Sequence, residues 1–247
     1  MGRLEGKVAI VTGGARGMGA AHTRLLHSEG ARVICTDILR DDGQRLVQEL
    51  GAGVMFADHD VSQLAQWERV VSDAEAEFGA INILVNNAGV SAAESIETCS
   101  VRSYMRIIEV NQLGVFLGMK TVLPSMRRAG GGSIINISSA GGLVGGPNSI
   151  GYCDSKFALR GMSKVAAIEF GCYGIRVNTV HPGAVKTPML MERPDATDIL
   201  RRFGESTPLG RVADPEEISR LVLFLASDDS SYSTGAEFIA DGGATCQ

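Results

Sequence analysis

The sequence predicts an α/β protein built on one doubly wound parallel sheet of about seven strands with helices on both faces. Three observations carry the prediction. Short apolar runs of strand length alternate with helical patterns along the whole chain. The first of these runs leads directly into a glycine-rich turn. No linker, internal repeat or low-complexity segment breaks the alternation, and 247 residues can bury one large core, so residues 1–247 are expected to form a single domain.

The first run, Lys7-Val8-Ala9-Ile10-Val11, has the character of a buried strand and passes into Thr12-Gly13-Gly14-Ala15-Arg16-Gly17-Met18-Gly19. Glycines in such a turn allow positive φ and close approach of a pyrophosphate, while the next helix, running to about Glu29, turns free N–H groups and the positive end of its dipole toward the phosphates. Gly30 stops that helix, and a second strand at 31–37 ends in Asp37, twenty residues after Gly17, where a carboxylate can accept hydrogen bonds from ribose hydroxyls. Strand, glycine turn, helix, strand and terminal acid in this order form a dinucleotide site of Rossmann type. Five further strands are expected near 54–56, 83–85, 134–137, 175–180 and 237–240, with helices near 63–78, 101–128, 152–171 and 215–226. Asp214-Pro215-Glu216-Glu217 opens the last helix by its chemistry: an N-cap acid, proline at the first helical position and a glutamate three positions after the cap.

A second constellation points to proton transfer. Tyr152 and Lys156 stand four positions apart, so in the helix at 152–171 the phenol and the ammonium share a face one turn apart. A free phenol, with a pKa of about 10, is a poor base at neutral pH, and a neighbouring cation is expected to lower that value. Ser139, thirteen residues before the tyrosine, ends an apolar strand and adds a hydroxyl able to bind a carbonyl or alcohol oxygen.

With the spacing Thr12-Gly13-x-x-x-Gly17-x-Gly19, then Asn86-Asn87-Ala88-Gly89, Asn111, Ser139 and Tyr152-x-x-x-Lys156 in order, the chain resembles the short-chain dehydrogenase/reductase family over nearly its full length. Within that family it is similar to the bacterial 3α(20β)-hydroxysteroid dehydrogenases in Gly13-Gly14-Ala15-Arg16-Gly17-Met18-Gly19 and in Arg176-Val177-Asn178-Thr179-Val180-His181-Pro182-Gly183. The resemblance implies an oxidoreductase interconverting a secondary alcohol and its ketone. Tyr152 would move the hydroxyl proton, Ser139 would fix the reacting oxygen, Lys156 would tune the phenol and hold the nicotinamide ribose, and Asn111 would anchor a water linking Lys156 to solvent. A second reading of Asn111, a polar group satisfying an irregularity in its helix, stays open. By the same residue-by-residue match the cofactor lies along Gly13, Arg16, Gly17, Met18, Gly19, Asp37 and Ile38, then Asp60, Val61, Asn87, Ala88 and Gly89, then Tyr152 and Lys156. Pro182, Gly183, Val185, Thr187 and Met189 would close over the nicotinamide.

Cofactor choice sets two residues against each other. Arg16 could pair with the 2′-phosphate of NADP, whereas Asp37 would repel it. Two like charges about 4 Å apart at an effective dielectric of about 20 cost roughly 4 kcal/mol, so Asp37 is expected to dominate and NAD to be the cofactor.

The segments flanking the expected site are small or apolar: Ser91-Ala92-Ala93, Ala140-Gly141-Gly142-Leu143-Val144 and Met189-Leu190-Met191. They suit a neutral alicyclic or steroid alcohol or ketone, although the methionines could equally pack against the body of the protein. The stretch 187–213, with Pro188, Pro194 and Pro208, is expected to be a mobile substrate lid. A formal charge of −5 without a basic block argues against nucleic acid or anionic membrane as partner. The absence of a signal-peptide core or membrane-length apolar run leads to the expectation of a cytoplasmic protein. Five cysteines without C-x-x-C spacing read as reduced thiols, and Cys153 is expected to point away from the site of Tyr152. Four histidines without ligand spacing give no metal. Arg127-Arg128 would cap a helix end and face water. Two other functions share these features: a 3-oxoacyl-carrier-protein reductase, which would favour NADPH and need a basic docking face, and a non-catalytic nucleotide sensor. Related proteins imply a homotetramer, with Val115-Phe116-Leu117 and Ala166-Ala167-Ile168 at its contacts.

Overall fold

Residues 2–192 and 195–246 are described by the computed structural model; Pro194, named above as part of the lid, lies outside the described residues. Strands β1 (Val8–Thr12), β2 (Arg32–Asp37), β3 (Val54–Asp58), β4 (Ile83–Asn86), β5 (Gly132–Ile137), β6 (Ile175–Pro182) and β7 (Glu237–Ala240) pair in parallel in the order β3-β2-β1-β4-β5-β6-β7. The central strands are apolar at consecutive positions because both faces of the sheet are covered. On one side lies a core around Trp67, Val115, Val122 and Met126, and on the other a core around Leu26, Leu46, Ile218 and Val222.

The flanking helices are α1 (Gly17–Ser28), α2 (Arg40–Leu50), α3 (Leu64–Phe78), α4 (Val101–Ile108), α5 (Gly114–Arg128), α6 (Ile150–Phe170), α7 (Pro188–Met191), α8 (Ala196–Ser206) and α9 (Pro215–Ala226). Helix α9 starts with the capping box read from the sequence, in which the Asp214 N–H donates to Glu217 Oε2 at 2.9 Å. The single long helix expected at 101–128 is interrupted by a π turn at Glu109–Leu113, which separates α4 from α5. Helix α2 was not foreseen, because its sequence carries few apolar residues and a central glycine. Gly43 is needed there for contact: a Cβ on it would stand 2.1 Å from the Phe56 ring of β3. The stretch 187–213 is not structureless either, since it holds α7 and α8.

Arg128 pairs with Glu75 of α3, and Arg127 lies over the Tyr173 ring at 4.3 Å. His22 of α1 is buried against Ser219 of α9, with its Nδ1 2.7 Å from the hydroxyl, and burial pushes its pKa down to about 3. It is therefore a neutral element of the core. All five cysteines are free thiols. Among the described residues no cluster of His, Cys, Asp or Glu is placed to hold a metal ion, and no helix is long and apolar enough to cross a membrane.

The sheet order reverses between β1 and β4: the chain moves outward from β1 to β2 and β3, then returns to β4 beside β1. Loops leaving the carboxyl ends of these two strands diverge, and the crevice between them is where an open α/β sheet accepts a ligand.

Candidate active site

The crevice is lined by the glycine turn after β1, by residues just beyond β2, β3 and β4, and by the start of α7. Gly13, Arg16, Gly17, Met18 and Gly19 form one wall; Asp37, Ile38, Asp60 and Val61 form the end; Asn87, Ala88 and Gly89 face them; Thr187 and Met189 approach from above. Fourteen of the residues assigned to the cofactor from sequence are thus brought together in one cleft. Of the other five, Tyr152 and Lys156 stand on α6 beyond Gly89, and three are elsewhere. Pro182 completes the pairing of β6 with β7, Gly183 packs so tightly on Asp241 that a Cβ would stand 2.8 Å from its Cα, and Val185 bridges to Ala213.

The turn has to be glycine for steric reasons. A Cβ on Gly19 would lie 1.9 Å from the Gly13 carbonyl oxygen, and one on Gly13, whose φ is +59°, would lie 2.8 Å from Ala88 Cα. Backbone here meets backbone with no room for a side chain, which brings the N-terminus of α1 to the cleft and leaves a cradle for a phosphate. Asn87 ties the turn to β4: its side chain donates to the carbonyls of Thr12 at 2.9 Å and Gly13 at 3.1 Å, while the N–H groups of Asn87 and Ala88 both donate to Thr12 Oγ1 at 3.0 Å. Thr12 is a structural partner of the site that the sequence reading passed over.

At the far end Asp37 is held by two backbone donors, Ala15 N–H and Leu39 N–H, both at 3.1 Å. The carboxylate is fixed at the end of β2, with the glycine turn bonded to it. The Arg16 guanidinium meets both carboxylate oxygens of Glu192, at 2.9 and 3.2 Å. Arg106, also unforeseen, lines the cleft and stands 3.9 Å from Asp60.

The residues expected to transfer the proton lie where β5 ends. Tyr152 and Lys156 come from one face of α6, as the spacing required, and the Tyr152 ring and the Ser139 hydroxyl meet at Gly141, where an added Cβ would stand 3.4 Å from each. Lys156 is buried, and its Nζ donates to the Ile137 carbonyl at 2.7 Å and stands 5.8 Å from the centre of the Tyr152 ring. Nζ also lies close to Gly89, since a Cβ added there would be 3.5 Å away, and this joins the group to the dinucleotide cleft. Burial brings the ammonium pKa down to about 8. The expected lowering of the phenol by Lys156 is not what the structure shows: burial pushes Tyr152 above its ordinary value, and the Ser139 hydroxyl offsets part of that rise. The physical reason is the burial of the phenol, which penalises its charged form; one Lys156 N–H is given to the Ile137 carbonyl. Cys153 does not turn away; its Sγ would be 3.5 Å from a Cβ on Gly141, in the same turn that Ser139 caps.

Asn111 sits in the π turn, fully buried. Its Oδ1 accepts from Val90 N–H at 2.8 Å, and its Nδ2 donates to the Val90 carbonyl at 2.9 Å and to Ser155 Oγ at 3.1 Å. It therefore pins the loop after β4 to α6, next to Lys156. Both Nδ2 protons are used in this bracing, and Oδ1 keeps a second lone pair.

His181 was unrecognised as part of the site because lone histidines carry no spacing signal. It is buried in β6, with Nδ1 3.0 Å from the Ser139 carbonyl and Nε2 2.9 Å from Thr179 Oγ1. A carbonyl only accepts, so Nδ1 carries the proton and Nε2 is left to accept from the threonine. Neutral imidazole thereby fixes the backbone that presents the Ser139 hydroxyl, and burial holds its pKa below the usual value.

The family model described as enoyl-(acyl carrier protein) reductase matches residues 13–245. A protein of Mycobacterium bovis named 3-alpha-(or 20-beta)-hydroxysteroid dehydrogenase is 51% identical over 242 residues, covering 98% of this chain and 90% of that protein. A trans-4-hydroxycyclohexanecarboxylate dehydrogenase of Sinomonas cyclohexanicum is 45% identical over 98% of this chain and 94% of its own length. An NADP-dependent (R)-specific alcohol dehydrogenase of Lentilactobacillus kefiri is 40% identical over 99% of each chain. Likeness of that extent runs through the glycine turn, the end of β5 and the first turns of α6 alike, and it settles what the motifs suggested: the chain belongs to the short-chain dehydrogenase/reductase family.

Proposed function

We propose that the protein is an NAD(H)-dependent oxidoreductase that interconverts a secondary alcohol and its ketone, with an apolar alicyclic or steroid compound as substrate. The observation that carries this reading is the meeting of Ser139, Tyr152 and Lys156 beside Gly89, at the inner end of a cleft whose floor admits no side chain. When bound, a nicotinamide dinucleotide supplies the hydride chemistry; Gly13, Gly19 and Asp37 would hold it, and the glycine cradle fits a pyrophosphate. Tyr152 gives or takes the proton at the reacting oxygen, Ser139 holds that oxygen, and Lys156 keeps a positive charge at the inner end of the cleft. In this reading Asn111 and His181 are positioning residues.

NAD is favoured over NADP because the Asp37 carboxylate is anchored by two N–H donors at the end of β2 and because Arg16 is already engaged by Glu192. The steroid or alicyclic substrate is supported by the names of the M. bovis and S. cyclohexanicum relatives and by exposed apolar side chains around the mouth, among them Val144, Met189 and Met191. Residues 187–213 would act as the lid, carrying α7 and α8 over the substrate.

A series from cyclohexanol through decalols to 3- and 20-hydroxysteroids tests the substrate. Burial of a larger skeleton contributes about 25 cal/mol per Å² of apolar area, so kcat/KM is expected to rise along the series with NAD. A flat profile, or preference for a charged or thioester substrate, would remove the steroid reading and favour the 3-oxoacyl-carrier-protein reductase.

The assembly is proposed to be a homotetramer. Of the two apolar triplets expected at its contacts, Val115, Leu117, Ala166 and Ala167 are used in the core, which leaves Phe116 and Ile168 on the surface with Phe157 and Val165. These four belong to α5 and α6 and form the apolar surface that pairing of these helices across a two-fold axis would cover. Light scattering is expected to give four times the monomer mass; a monomer at micromolar concentration would overturn it.

A further inference from the structure

We infer that Glu192, at the end of α7, is a determinant of cofactor selectivity that acts by holding Arg16 away from the 2′ position of the adenosine ribose. The inference rests on the proposed dinucleotide site and extends it to a residue on the opposite side of the cleft.

Arg16 is the N-cap residue of α1, with extended backbone (φ −147°), and contributes no side-chain capping bond to the helix. Its guanidinium is therefore available to whatever anion stands nearby. Here that anion is Glu192, whose backbone N–H bonds the Pro188 carbonyl at 3.0 Å and so fixes the residue to the end of α7. Helix α7 is itself seated on the glycine turn: a Cβ on Gly17 would stand 3.3 Å from Pro188 Cδ. The ion pair thus spans from the phosphate-binding turn to the segment above it.

Among the described residues, the cation that also lines the cleft, Arg106, and Arg40, just beyond β2, both stand near an acid. Arg40 pairs with Asp58 at 3.2 Å and Arg106 stands 3.9 Å from Asp60. His59, which also lines the cleft, is pushed by burial to about 4 and is neutral at ordinary pH. Three guanidiniums, Arg16, Arg40 and Arg106, face four carboxylates, Asp37, Asp58, Asp60 and Glu192. Among the described residues lining the cleft, a 2′-phosphate entering beside Asp37 would meet guanidiniums that already stand beside an acid, Arg16 with Glu192 and Arg106 with Asp60. Arg16 differs from the other two in that its acid comes from α7, across the cleft, and not from the wall that holds the adenosine. Removing the charge of Glu192 releases Arg16 without altering Asp37.

Both side chains of the pair are about half exposed, 44% for Arg16 and 63% for Glu192, so solvent screens it and its contribution to stability is small. The fold should tolerate its loss, and the expected effect on selectivity is correspondingly modest.

The test is titration calorimetry of 2′,5′-ADP and 5′-ADP on wild type, Glu192→Gln, Arg16→Gln and the double variant, with the NADP/NAD ratio of kcat/KM measured alongside. Glu192→Gln is expected to tighten 2′,5′-ADP about five- to tenfold relative to 5′-ADP and to raise the kinetic ratio by a similar factor. In the Arg16→Gln background the same change should move the ratio less than about twofold, because the cation it releases is gone. An unchanged preference in Glu192→Gln would overturn the inference. An equal gain with and without Arg16 would also overturn it, since Glu192 would then act only by direct repulsion. The NAD assignment is read separately, from wild type alone: tighter binding of 2′,5′-ADP than of 5′-ADP there would sink that assignment, while the change caused by Glu192→Gln would still decide the role of Glu192.

Discussion

Tyr152→Phe is expected to lower kcat by about three orders of magnitude, within the range that general acid–base groups contribute, while NADH binding measured by fluorescence titration stays near wild type. The phenol ring stands beside the Ser139 hydroxyl, each within 3.4 Å of a Cβ that would be added on Gly141. Lys156 is turned to the Ile137 carbonyl and Asn111 is bonded to Val90 and Ser155. Phenylalanine keeps the packing of the ring, so a loss of cofactor affinity as large as the loss of turnover would indicate damage to the cleft. Retention of more than about a tenth of kcat would move the acid/base role to another residue.

The second large effect is at Asp37. Asp37→Ala is expected to weaken NAD and strengthen NADP together, shifting the ratio of kcat/KM values toward NADP by about two to three decades, as the repulsion between charges some 4 Å apart implies. Alanine also removes the acceptor for the Ala15 and Leu39 N–H groups, so part of its effect could come from a loosened turn. Asp37→Asn narrows the two causes, because its amide oxygen keeps one of the two acceptors used by Ala15 and Leu39 while the charge is lost. A shift of similar size in the asparagine variant supports electrostatics. A wild-type enzyme already preferring NADPH would show that Arg16 escapes Glu192 and dominates the site.

Much of the framework was legible in the chain because each element carried a local signal. Consecutive apolar residues gave the seven strands, Asp214 and Glu217 gave the start of α9, and the four-residue spacing put Tyr152 and Lys156 on one face. Helix α2 escaped notice because its stability comes from Leu46 in the core and from the fit of Gly43 on Phe56, neither of which is visible in a window of propensities. The π turn at Asn111 was missed as a location although an irregularity was contemplated. One extra residue in a turn leaves the apolar periodicity of α4 and α5 almost unchanged.

The sequence by itself determined the succession of strands and helices along the chain, the need for glycine at the turn and the placing of Tyr152 and Lys156 on one helix face, because these follow from chain-local geometry and residue chemistry. Only the tertiary structure decided which neighbour each charged or polar group would use. Lys156 turned to Ile137 instead of the phenol, Arg16 found Glu192 176 positions away, and His181 came to support Ser139 from a strand 42 positions later. Electrostatic and hydrogen-bond partners act over a few ångströms in space, and strand pairing in the sheet, not distance along the chain, sets who stands within that range.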